Sequence, residues 1–449
     1  MSRSLCIPAL AALLGAPCLL AQAPATTPAP APASTPASTP TPAPALADKP
    51  LWSFKETGAA PFFALGKEAV YVRYGGDVKR RALADGREVW SVPADLPVAE
   101  EGGLLFLINA KYELSCLDAQ TGQALWKVPI EKEGEGTFGH GNVVVVRRGF
   151  RNPVVAGDLV LVGTSGGSLF RGRTGKLYAY DRKDGKLRWS FEAEDGVENQ
   201  PVVAKNLVLI GGVAACYGLD LATGKQVWKA STRNDNQWFF KLAGDTLLMS
   251  SGHYRSQNSM SGGTLYAFDP ATGNSRWTFD IGGPSVLGLA DGRVVGLEWG
   301  SFGGSRLTCL DLASGKKLWE FKEKGTAWPV VVDGKAVHLD KDNRIHVVDL
   351  ATGKAEAAIP AAGDFQMGFL SGPWGRFMDP VVLQGRAVVG SWDKAKKETV
   401  LQVLDVKQGK VVQERRLPGE LRNVKDLGDQ LVTVVKGTGE AYTLQVEGR

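Results

Sequence analysis

One short phrase recurs along this chain: an apolar strand, an Asp, a turn closing on Gly, and a Trp four residues after the Gly. It reads LDAQTGQALW at 117–126, YDRKDGKLRW at 180–189, LDLATGKQVW at 219–228, FDPATGNSRW at 268–277 and LDLASGKKLW at 310–319. Weaker copies are ALADGREVW at 82–90, VDLATGKAEA at 348–357 and LDVKQGKVVQ at 404–413. Self-similarity at a period near forty residues marks an array of one supersecondary unit.

Each copy reads as a hairpin corner. The Asp carboxylate can accept hydrogen bonds from turn N–H groups, and the Gly tolerates a positive φ. Strand residues resume beyond it with period-two spacing, putting Leu187, Trp189 and Phe191 on one face. Upstream of a corner lies another alternating run, such as NPVVAGDLVLVG at 152–163, so one unit holds about four short strands. A lone sheet of that size cannot bury both faces. Neighbours must stack on it, and closing the stack into a ring leaves no edge exposed.

The expected fold is therefore all-β: a single β-propeller of four-stranded blades. Seven Trp residues (52, 90, 126, 189, 228, 277 and 319) follow a corner or match its outer strand and are read as contacts between blades. The folded part opens with a strand lacking its corner (LWSF, 51–54) and ends with one lacking its successor (YTLQVEG, 442–448). These two should pair and lock the ring. Corners at Gly86, Gly122, Gly185, Gly224, Gly273, Gly315, Gly353 and Gly409, with the split one, make nine units.

Residues 1–25 have the apolar core and small-residue end of a secretory signal peptide, with cleavage after Ala25. Gly15-Ala16-Pro17-Cys18 is only partly a lipobox, lacking Leu three positions before the Cys and carrying Pro just before it, so a lipid on Cys18 is not expected. Residues 26–50 are dominated by Pro, Ala, Thr and Ser and read as a disordered linker; residues 51–449 are the propeller. The address is the periplasm or cell envelope. No later apolar run is long enough for a transmembrane span.

The net charge of +5 is too mild to argue for nucleic acid. Beyond the leader only Cys116, Cys216 and Cys309 remain, without a CxxC, and four His show no ligand spacing, so no metal site is expected. Cys116 and Cys309 stand two residues before a corner Asp, where other copies have Ala179 and Ala267; they read as small buried strand residues.

Topology gives the sharpest functional expectation. In an up-and-down blade the connections alternate between the two faces of the disc. Corners join the third and fourth strands, so all of them lie on one face. Connections into a blade, and those between its second and third strands, lie on the other. Corner glycines are spaced by 36, 63, 39, 49, 42, 38 and 56 residues, and the excess falls mainly in this second class. The insertions are 130–151, 164–175, 252–263, 298–305 and 361–378. They would gather Arg147, Arg151, Arg171, Arg173, Tyr254, Arg255, Trp299, Phe302, Trp374 and Arg376 on one face, an Arg and aromatic composition suited to binding.

The corner phrase resembles the PQQ-like repeat of the quinoprotein-alcohol-dehydrogenase-like propellers, over about residues 51–449. That resemblance implies eight blades as the usual number, against the nine counted here, so eight or nine blades are expected. It also implies two kinds of member. Quinone-dependent dehydrogenases hold PQQ and calcium over the ring centre, use an Asp as base and often carry an adjacent Cys-Cys pair. This chain has no such pair, and Asp118, Asp181, Asp220, Asp269, Asp311, Asp349 and Asp405 are already explained as turn formers. The other members are non-catalytic, best represented by the propeller lipoprotein of outer-membrane protein assembly. The chain is similar to these in size and exported character. The expectation is a non-catalytic scaffold, a monomeric ring without cofactor, that binds an envelope protein or peptide segment. A PQQ-dependent dehydrogenase is the alternative.

Overall fold

A computed structural model of the chain describes residues 46–447, except 48, 58–61, 75, 110, 131–148, 151–152, 169–171, 213, 233–235, 257–258, 282–286, 300–304, 323–328, 341, 365–379, 428–429 and 438–440. Pro44–Arg449 forms one compact unit; Met1–Ala43 is counted apart and lies outside the described residues.

The described residues build nine antiparallel sheets and no helix: eight have four strands, and the third blade carries a short fifth strand, Gly149–Phe150, paired with Thr164 and Ser165. The fourth blade is representative: Val202–Ala204 innermost, then Leu207–Gly211, Ala215–Asp220 and Gln226–Ser231. Eight blades are runs of consecutive strands. The ninth takes Glu420–Asp426, Leu431–Lys436 and Ala441–Glu447 from the end of the chain and its outer strand, Trp52–Thr57, from the beginning. Trp52 stands opposite Val446 and Phe54 opposite Leu444, so the two split strands do lock the ring. The blade number is nine, as the corner count indicated, rather than the eight usual for the resembled family.

There is no single core. Nine apolar clusters occupy the nine joints between successive blades, including the one that joins the ninth blade to the first through Trp52, Phe63, Val70, Val72, Val432, Leu444 and Val446. Each blade thus buries both faces against neighbours, as a sheet too small to fold alone requires.

The corners have the chemistry read from the sequence. Asp220 Oδ1 accepts from Thr223 N (2.9 Å) and Thr223 Oγ1 (2.6 Å), while Gly224 N donates to Asp220 O at 2.8 Å with φ +69°. Asp118, Asp269, Asp311 and Asp349 repeat the carboxylate contact with Thr121, Thr272, Ser314 and Thr352. These hydrogen bonds hold the carboxyls of Asp118, Asp220, Asp311 and Asp269 below their usual range, with Arg276 first for Asp269. In the first blade Gly86 N donates to Ala82 O, so Ala82 takes the Asp position and Asp85 accepts from Arg87 N instead.

All seven Trp residues join blades by one device. Each indole N–H donates to a carbonyl in the next blade's corner: Trp52 to Leu83, Trp90 to Ala119, Trp126 to Arg182, Trp189 to Leu221, Trp228 to Pro270, Trp277 to Leu312 and Trp319 to Leu350. Each ring also covers that corner's Gly; a Cβ on Gly273 would stand 2.4 Å from Trp228 Cε3. The cross-strand partner within the Trp's own blade is small in five cases: Cys116, Ala179, Gly218, Ala267 and Cys309. Ala357 occupies the Trp position of the seventh blade, and its partner is the larger Val347.

Two sequence expectations change. Leu187 is exposed rather than sharing a buried face with Trp189, because a bulge between Ala179 and Tyr180 shifts the register next to the corner. Insertions 164–175 and 252–263 are largely strand, not loop, as described next.

Candidate binding face

The second and third strands of the third blade, Leu159–Ser168 and Gly172–Asp181, pair as far as Ser168 with Gly172. The fourth strand stops at Ala193, opposite Gly175, so the hairpin runs past its outer neighbour. In the fifth blade, Thr246–Ser256 and Ser259–Phe268 pair as far as Ser256 with Ser259. Their flanking strands end at Asn236, opposite Gly252, and Ile281, opposite Gly263. Both hairpins are two-stranded ribbons extending beyond their sheets on the face opposite the corners. Gly166, Gly167, Gly252, Gly262 and Gly263 lie within them, which is why the sequence read as loop.

Among the sequence-derived candidates, Arg173 lies on the third-blade ribbon opposite Gly167. Tyr254 and Arg255 lie on the fifth-blade ribbon, Tyr254 opposite Met260. Trp299 ends its strand opposite Ser305, at the same turn of the sixth blade. Topology therefore puts these four on one face. Arg147, Arg151, Arg171, Phe302, Trp374 and Arg376 lie outside the described residues.

Beneath this face, connections into a blade are tied to neighbouring turns by polar contacts. Asp195, ahead of the fourth blade, accepts from the Ala214 amide and from Tyr217 Oη, the latter at 3.0 Å. Asn343 Nδ2 donates to Asp364 Oδ1 at 3.0 Å, and Asp364 exchanges backbone bonds with Trp392. A buried group beside them was not visible in the sequence. His338 and His346 are cross-strand partners in the seventh blade with ring centroids 5.0 Å apart, and Phe321 of the sixth blade packs edge-on against both. His346 Nε2 is 2.7 Å from Asp340 Oδ2, while neither ring nitrogen of His338 has a hydrogen-bond partner among the described residues. Burial, reinforced by the neighbouring imidazole and opposed by Asp340, pushes His338 down to about 3.

A calcium-bound quinone would require clustered carboxylates and, in many such enzymes, paired cysteines. Cys116, Cys216 and Cys309 are buried and form no disulfide with one another, and burial raises the Cys116 and Cys309 thiols to about 11 and 12. The corner carboxylates are engaged in their own turns, and among the described residues no three His, Cys, Asp or Glu are placed to hold a metal. The described residues do not assemble such a site.

Nine blades, seven of their joints made by a Trp-to-corner contact, define a PQQ-like repeat propeller. The family profile for outer membrane protein assembly factor BamB matches residues 74–171, 147–249 and 261–356. The chain belongs to that family. Curated relatives include the dehydrogenase subunit of a quinone-dependent alcohol dehydrogenase from Gluconobacter oxydans, 27% identical over 233 residues, 45% of this chain and 29% of that protein. A quinone-dependent 1-butanol dehydrogenase from Thauera butanivorans is 37% identical over 101 residues, 20% of this chain and 15% of that protein. The chain thus spans less than a third of these relatives' length. Among solved structures, BamB from Moraxella catarrhalis is 16% identical with a TM-score of 0.49, covering 90% of this chain and 100% of that one. Quinohemoprotein alcohol dehydrogenase from Comamonas testosteroni is 14% identical with a TM-score of 0.48, covering 89% and 76%. No helix among the described residues is long and apolar enough to cross a membrane.

Proposed function

We propose that this protein is an exported, non-catalytic scaffold that binds a protein or peptide segment in the cell envelope through the face opposite its corners. The carrying observation is that both long ribbons, 159–181 and 246–268, extend on that one face. A folded ribbon offers a partner both main-chain edges and side chains at little ordering cost. Membership of a family named for outer-membrane protein assembly supports the reading. So does the engagement of the corner carboxylates in turns, where they serve the ring rather than a reaction. No PQQ or calcium is needed, and the leader of residues 1–25 would deliver the chain to the periplasm.

Photo-crosslinking in intact envelopes tests this. Probes at Arg173, Arg255 and Trp299 should capture a discrete partner, whereas probes at the exposed corner residues Gln120 and Lys183 should not. Equal capture from both faces, or from corners alone, would overturn the assignment. The quinone-dependent relatives make a dehydrogenase the second reading. Reconstitution with PQQ and Ca²⁺ followed by dye reduction decides it: alcohol- or sugar-dependent turnover would displace the scaffold.

A further inference from the structure

The ninth blade cannot have a corner, because its third and fourth strands are the two ends of the folded chain. The eighth blade therefore faces a joint with no corner Gly to cover and no corner carbonyl to meet. At the position four residues after its own Gly409, where six other outer strands place Trp, it carries Gln413. Gln413 Nε2 donates to Leu46 O, and Gln413 Oε1 accepts from Leu46 N at 2.6 Å, across 367 residues of sequence. An indole could have made only the first of these bonds; a carboxamide makes both.

The Leu46 side chain is 4% exposed and belongs to the cluster of this joint, with Leu383, Leu401, Leu417, Leu431 and Val435. Five residues on, Leu51 N donates to Val446 O and the chain enters its outer strand. The joint also buries a charged pair. Glu447, fully buried, lies 3.4 Å from Arg415 Nε, and burial raises its carboxyl. Such a pair depends on the seal around it, since water reaching one partner removes the reason for the other to stay.

We propose that Leu46, Ala47 and Lys49–Leu51 act as a surrogate ninth corner: a strap that seals the joint between the eighth and ninth blades, with Gln413 as its catch. The strap lies on the corner face, since Trp52 at its end reaches the Leu83 carbonyl of the first blade's corner. Leu46, which the sequence-derived boundary at residue 50 leaves in the linker, is buried in this joint. The inference is independent of what the opposite face binds.

Hydrogen exchange on the full chain tests it, comparing Gln413→Ala, Leu46→Gly and their combination. Each single change should accelerate amide exchange in Leu431–Lys436 and Lys410–Pro418 by at least tenfold and leave the third to fifth blades unchanged. The combination should add no further acceleration, because either loss unseats the same strap. Gln413→Glu, which accepts from Leu46 N but cannot donate to Leu46 O, should fall between wild type and Gln413→Ala. Unchanged exchange in the single variants, or effects that multiply in the combination, would overturn the strap.

Discussion

If the Trp and the next blade's corner Gly form one packed unit, their contributions must be coupled. Trp228 is 7% exposed, donates to Pro270 O at 3.1 Å and lies between Gly218 of its own blade and Gly273 of the next. A methyl on Gly273 would stand 2.4 Å from Cε3 and 2.6 Å from Cδ2, at φ +71°. The left-handed backbone costs a non-glycine residue about 1 kcal/mol. Displacing the indole adds about 2 kcal/mol of overpacking. Gly273→Ala should thus destabilise by about 3 kcal/mol, and Trp228→Ala by about 4 kcal/mol. With the indole gone, the methyl meets open space and only the backbone cost remains, so the double variant should lose about 5 kcal/mol rather than 7. The coupling of about 2 kcal/mol is measurable by urea unfolding, provided the slopes agree between variants. Additivity to within about 0.5 kcal/mol would refute the packed-unit reasoning.

The seventh joint supplies the contrast. Gly409→Ala places its methyl 2.9 Å from only the Ala357 methyl, so it should cost about 1 kcal/mol, mostly backbone; the same unfolding assay checks it. His338 is neutral in the fold and titrates near 6.5 when unfolded, so its contribution is complete above that pH and is lost as pH falls toward about 3. Stability at pH 5 should be about 2 kcal/mol below that at pH 7, and His338→Leu should reduce this difference. The thiols of Cys116 and Cys309 should resist an aromatic disulfide reagent at pH 8 until denaturant is added, since both are buried and their pKa values are raised. Arg255→Glu should lower partner recovery from envelope extracts while leaving the melting temperature unchanged.

The ring was legible because its signals are local. Asp-x-x-Thr-Gly with a Trp four residues later states a corner and its docking group within ten residues, and five strong copies state the array. What escaped notice depends on partners far apart in sequence or on register. Gln413 is unremarkable until the ring places it on Leu46. His338 and His346 have no ligand-like spacing, yet ladder pairing sets them opposite each other on adjacent strands. Glycines at 252, 262 and 263 suggested a loop, whereas pairing with the opposite arm extends the strands to Ser256 and Ser259. Leu187 fits an alternating pattern that a bulge interrupts one step earlier.

Lending the outermost strand of the last blade to the first segment of the ring has a consequence for how the molecule is made. Trp52–Thr57 leaves the ribosome long before Ala441–Glu447 exists, so its hydrogen-bonding edge must wait for almost the whole chain. Intermediate blades can form in turn, but the circle joins only once Ala441–Glu447 has been made. Until that last strand appears, Trp52, Phe63 and Val70 lack the Leu444 and Val446 that cover them in the finished ring.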